Sequence, residues 1–184
     1  MNRRVFDALM STGGGLLVVV LVVAGSLLMW GASFANSNVY NQLSQQKIYF
    51  PPKGSPQLNN PEIAPYLNPY AGQQLVTGQQ AEVYADHFIA VHLKEIGKGQ
   101  TYAQVSAEAL ANPKNQALKQ EAQTLFQGET LRGLLLEAYA FSVFGEIAFW
   151  ASVAAYILAG VMLILVVLGI WHLRKIPKEA SLEI

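Results

Sequence analysis

Two stretches of this chain are almost wholly apolar, and the segment between them mixes apolar and polar positions. The first run follows Arg3, Arg4 and Asp7 and extends from Gly13 to Ala35 through LLVVVLVVAGSLLMW. About twenty apolar residues cover a bilayer core, so the pattern predicts a transmembrane helix over 13–35. Ser33-Phe34-Ala35 resembles a small-x-small cleavage site, but the apolar run is longer than a signal-peptide core, and a retained anchor is expected. The second run has no charged residue from Ile147 to Trp171. At 1.5 Å per residue it spans roughly 37 Å, enough to cross a membrane with some tilt. The expected span is 145–171.

Between the runs the pattern changes twice. Six of the eight prolines fall between Pro51 and Pro69, inside a stretch rich in Asn and Gln. Proline removes a backbone donor and restricts the residue before it. An extended, proline-rich loop is therefore expected over 36–78, with a short strand at Lys47–Phe50. Its aromatics Tyr49, Phe50, Tyr66 and Tyr70 suggest that it packs on a core. Helical spacing begins at Gln79, where Ala81, Tyr84, Ala85, Phe88, Ile89, His92 and Ile96 form one stripe. Gly97 and Gly99 suit its end, Thr101 suits an N-cap for Tyr102–Ala111, and a third helix is expected from Lys114 to Phe126. Gly128 is a candidate break. Beyond it nothing forces an interruption, so the second span is expected to prolong a helix that rises out of the membrane and couples it to the region 79–144.

Charge orients this arrangement. Arg3 and Arg4 flank the first run, and Arg174, Lys175 and Lys178 follow the second, whereas Lys47 and Arg132 are the nearest basic residues on the other side. Positive charge stays in the cytoplasm. Segments 1–12 and 172–184 are thus expected to be cytoplasmic and the centre extracytoplasmic, in a multi-pass protein of the plasma membrane. Trp150 and Trp171 lie about 31 Å apart along a helix, which matches the two interfacial aromatic belts. Glu146, one turn beyond Trp150, is expected at the outer headgroup level, and His172 at the inner one.

Composition removes several classes of function. The formal net charge is zero, which leaves no basic face for nucleic acid. There is no cysteine, so thiolate catalysis, disulfides, iron–sulfur ligation and a lipoprotein anchor are excluded. The remaining candidates for chemistry are sparse. His87 and His92 point to nearly opposite sides of a straight helix and cannot share a metal there. His92 falls on the apolar stripe, as a hydrogen-bonded packing residue would, and His87 falls on the solvated side. Glu82 and Asp86 share a face, but hard cations want more oxygen ligands than two residues supply. No phosphate loop, zinc pattern or nucleophile elbow is present, and no metal or cofactor is expected. The glycines Gly13–Gly15 suit close helix packing. So do Ala151, Ala155 and Ala159, which recur every four positions and are extended by Gly160. This row either packs on the first span or docks into a larger membrane complex.

Several segments resemble a family. Gln46–Pro51, AGQQLVTGQQAEVYADHFIAVHL from Ala71, TYAQVSAEA from Thr101 and TLFQGETLRGLLLEAYAF from Thr124 are similar to two-span membrane proteins of actinobacteria, mostly of unassigned function. The resemblance covers most of the chain. It implies two spans around an extracytoplasmic helical domain and, through likeness in size and layout, a small accessory subunit of the respiratory cytochrome supercomplex. Some members carry a ring-opening dioxygenase label. The two histidines of the central segment lie on different faces and do not make the site such chemistry needs.

The expectation is therefore an all-α membrane protein whose two transmembrane helices flank an extracytoplasmic, mostly helical domain with a proline-rich loop. Its expected role is a non-enzymatic accessory or scaffold protein of the cell envelope. Its partners would be the lipid bilayer and another membrane protein or further copies of itself. The alternatives are a sensor acting through a partner and a component of an oligomeric transporter or channel.

Overall fold

A computed structural model describes residues 3–175; Lys178 and the rest of the expected C-terminal tail lie outside the described residues. Among the described residues the fold is all helical, without strands. Two long helices, α1 (Arg3–Gln46) and α6 (Gln116–Lys175), bracket four short ones: α2 (Ala64–Leu67), α3 (Gly78–Tyr84), α4 (Ala90–Ile96) and α5 (Tyr102–Ala111). A π-turn, Ala85–Ile89, joins α3 to α4. Both long helices contain a segment long and apolar enough to cross a membrane. The chain divides into two compact units, one made of Ala35–Phe144 and the other of the residues before and after it.

Three boundaries differ from the expected ones. The loop expected from Asn36 is helical to Gln46, where Lys47 ends α1 in a left-handed conformation (φ 52°). Asn, Ser and Gln cost a helix only a few tenths of a kcal/mol each. Ala35, Val39 and Leu43 repay that cost, because they recur every four residues and are all buried. The expected strand at Lys47–Phe50 shrinks to a single bridge between Tyr49 and Gln74, held by Phe50 N–H to Gln73 O (2.9 Å) and Leu75 N–H to Ile48 O (2.9 Å). Gly128 does not interrupt the chain, and α6 runs unbroken through it. A side chain there would collide with Leu93, so the glycine lets α4 approach α6.

The 35–144 unit has one core, which includes Leu43, Phe50, Ile63, Leu67, Leu75, Val105, Leu125 and Leu135. Phe50 anchors the proline-rich segment: it is 1 % exposed, with ring centroids 5.2 Å from Tyr70 and 5.3 Å from Tyr84. Two capping boxes start the short helices. Thr77 accepts from Gln80 N–H (3.2 Å) while Gln80 Oε1 accepts from Thr77 N–H (3.1 Å). Thr101 and Gln104 repeat the device at α5.

Candidate functional site

In the helix-pair unit, α1 and α6 meet through small residues. Ser11 faces Gly169, Gly14 faces Val166 and Gly25 faces the Tyr156 ring. Rising numbers on α1 match falling numbers on α6, so the two run antiparallel. A Cβ at Gly14 would come 2.8 Å from Val166 Cγ2, and one at Gly25 3.2 Å from Tyr156 Cε1. Glycine is what permits this approach, the usual device where no water drives helices together. Ser26 and Tyr156 add a hydroxyl–hydroxyl bond of 3.0 Å across the pair. Ser152 is wholly buried, and its hydroxyl has no hydrogen-bond partner among the described residues.

The alanine row divides. Ala155 and Ala159 are buried in the helix pair, with Ala32 on the opposing helix buried as well. Ala151 and Gly160 are exposed. The four positions therefore do not form one continuous groove. A step of four advances about 400°, so each repeat turns some 40° further round the helix, and the shielded line runs Ser152–Ala155–Ala159. The two residues that complete the contact, Ser26 and Tyr156, were missed in the sequence, where a lone Ser in an apolar run carries no signal of its partner.

Aromatic side chains mark both ends of the apolar runs. Trp150 and Trp171 are 62 % and 58 % exposed, and Glu146 is also exposed. Trp30 stacks on Phe34 (5.8 Å), Phe149 on Trp150 edge-on (5.4 Å), and Lys175 Nζ lies 3.6 Å over the Trp171 ring.

In the 35–144 unit the polar side chains gather at the π-turn. Asp86 accepts from Arg132 Nη2 at 2.7 Å, and Glu129 lies 3.6 Å from Nη1. The bond to Asp86 is the main cause that lifts the Arg132 guanidinium further above its ordinary pKa. Asp86 is thus committed to Arg132 and does not face a cation with Glu82. His87, expected on the solvated side, is half-buried and stacks flat on Tyr66, with centroids 3.4 Å apart. His92 packs against Phe88 and its Nδ1 lies 2.7 Å from the Phe88 carbonyl, which assigns the proton to that nitrogen. Burial pushes the Tyr84 phenol pKa up. Among the described residues no three His, Asp or Glu side chains converge as a metal site would require.

The same unit carries an open cleft of about 420 Å³ between the two long helices. Asn38, Gln42 and Gln46 of α1 line one wall, one turn apart, and Leu134, Glu137 and Phe141 of α6 line the other. Gln42 donates to Asn38 within the ladder. Comparison with protein-family profiles, curated proteins and solved structures finds no match to this chain.

Proposed function

We propose that this chain is a two-span membrane protein with no catalytic role, an accessory or scaffold subunit that holds a helical domain outside the plasma membrane. The observation that carries the membrane reading is the outward face of the helix pair. Nine large apolar side chains between Leu16 and Phe34, and fourteen between Ile147 and Trp171, are exposed. Leaving that many in water would cost on the order of tens of kcal/mol, at roughly 1.5–3 kcal/mol each. A bilayer removes the cost. The core helices of a soluble protein are mostly buried, but only 11 % and 6 % of the most apolar windows are buried here. The close fit of Gly14 and Gly25 against α6 supports a retained first span, since a cleaved leader would take half of that contact with it.

Basic residues at the outer ends of both runs support cytoplasmic termini, with Ala35–Phe144 extracytoplasmic. The amide-lined groove of that unit supports a protein partner, because its polar ladder and flanking Leu134 and Phe141 offer both hydrogen bonds and apolar contact. The family resemblance narrows that partner to a respiratory cytochrome assembly.

Single cysteines test the topology. In intact cells those at Ser44 and Gln116 should react with a membrane-impermeant thiol reagent, and one at Ser181 should not. Labelling at Ser181 would overturn the orientation. Mild-detergent purification of a tagged copy from native membranes, read by mass spectrometry and haem absorbance, tests the partner. Recovery of the chain alone would refute the accessory role.

A further inference from the structure

We infer that the cleft between the beginning of α1 and the end of α6 binds an ammonium group carried on an apolar chain, the headgroup of an aminophospholipid. The inference rests on the reading that this helix pair spans a bilayer. The cleft holds about 270 Å³ and is lined by Asp7, Ser11, Met162, Leu165, Val166 and His172, among others. Its volume suits the terminal amine of a headgroup with the acyl chains left outside. Two contacts shape it: Gly14 admits Val166, and Gly169 admits the Ser11 hydroxyl.

Asp7 is the group that asks for a ligand. Its Oδ2 is shielded from solvent and has no hydrogen-bond partner among the described residues. A shielded carboxyl oxygen without a partner is costly unless a donor reaches it. An ammonium brings three N–H donors and the opposite charge, and charge-assisted bonds of this kind are the strong ones. A divalent ion is a poorer fit, because among the described residues Asp7 is the only carboxylate in the lining and hard cations take six or more oxygens. Met162, Leu165 and Val166 give the same cleft an apolar wall, which suits a lipid better than a free amine.

The test uses the full chain, delipidated in mild detergent and titrated with single lipids under native mass spectrometry. Phosphatidylethanolamine carries the positive charge with N–H donors, phosphatidylcholine the charge without donors, and phosphatidylglycerol hydroxyl donors without the charge. Phosphatidylethanolamine should bind at least about 5-fold tighter than the other two. Asp7→Asn should erase the preference. Leu165→Trp, which fills the apolar wall from an exposed position, should weaken retention and serves as the deciding variant if Asp7→Asn does not accumulate. Displacement of the lipid by millimolar free ethanolamine would keep the ammonium site and reassign its source to a soluble amine. Equal retention of the three lipids, or a preference that survives both variants, would overturn the inference. Carbonate extraction separates the two failures: a chain released into the soluble fraction refutes the membrane reading, whereas an embedded chain without lipid preference refutes only this site.

Discussion

Ala155→Leu should loosen the helix pair, whereas the same change one turn earlier, Ala151→Leu, should not. Ala155 is 9 % exposed and lies in the buried line with Ser152 and Ala159, while Ala151 is exposed. Leucine adds three carbons to a contact in which glycines already set the spacing. The α1 backbone must move away or the leucine must leave its rotamer, and overpacking of this kind costs about 1–3 kcal/mol. Such a loss multiplies the separated population about 5- to 150-fold. On the proposed two-span reading insertion is untouched, because leucine is at least as apolar as alanine and both helices would stay in lipid when the pair separates. At Ala151 the added side chain meets only the surroundings of the helix, and a change within about 0.5 kcal/mol is expected. The assay is reversible unfolding of the purified chain in mixed micelles, with a fluorophore pair at Leu27 and Leu158 reporting separation of α1 from α6. Equal effects at the two alanines would refute the assignment of the buried line. If Ala151→Leu leaves the pair intact but strips a co-purifying protein, the exposed side of the row is the docking face.

Gly78→Ala should destabilise the 35–144 unit by about 1–3 kcal/mol in chemical unfolding, because the new Cβ would overlap the Ser142 side chain and sit 3.3 Å from Tyr139 Cα. Gly128→Ala should cost less, since the atoms it meets belong to the flexible end of Leu93. The raised Tyr84 pKa means that the folded unit holds this proton more tightly than the unfolded chain. Its contribution is therefore complete below about pH 10, the unfolded value, and is lost as pH rises from there through the folded value. An alkaline fall in stability that Tyr84→Phe removes checks this, and a fall of equal size in the variant would refute it. His92→Leu should cost about 1 kcal/mol or less by thermal unfolding, since it removes one hydrogen bond to the Phe88 carbonyl and keeps the packing.

Hydropathy located both long apolar helices, because a run of twenty apolar residues has few alternative readings. The Thr101 cap was equally direct, while Thr77-x-x-Gln80, which carries the same reciprocal pair within four residues, fell inside the expected loop. Helix ends were less direct, because tertiary burial overrode local propensity. Asn36, Asn38 and Asn41 look like loop residues, yet the buried stripe of Ala35, Val39 and Leu43 carries α1 through them. Pairings distant in sequence left no local mark. Arg132 and Asp86 are separated by 46 positions and Ser26 and Tyr156 by 130, so neither could be read from spacing.

The π-turn accounts for the largest error of face. A straight helix from Gln79 to Ile96 places Ile96 on the stripe and leaves Leu93 off it. The buried apolar residues are Ala81, Ala85, Ile89 and Leu93, a strict step of four, and Ile96 is 38 % exposed. In a regular α-helix each such step rotates about 40° too far, so Leu93 would lie roughly 120° round from Ala81. Widening one turn at Ala85–Ile89 absorbs that drift and keeps all four on the core. The same widening leaves Asp86 bonded to Arg132 and His87 stacked on Tyr66 rather than free in solvent. A period of four was present in the sequence as Ala81, Ala85, Ile89, Leu93, together with the parallel line Tyr84, Phe88, His92. A step of four held over four buried positions is the pattern from which an underwound turn follows.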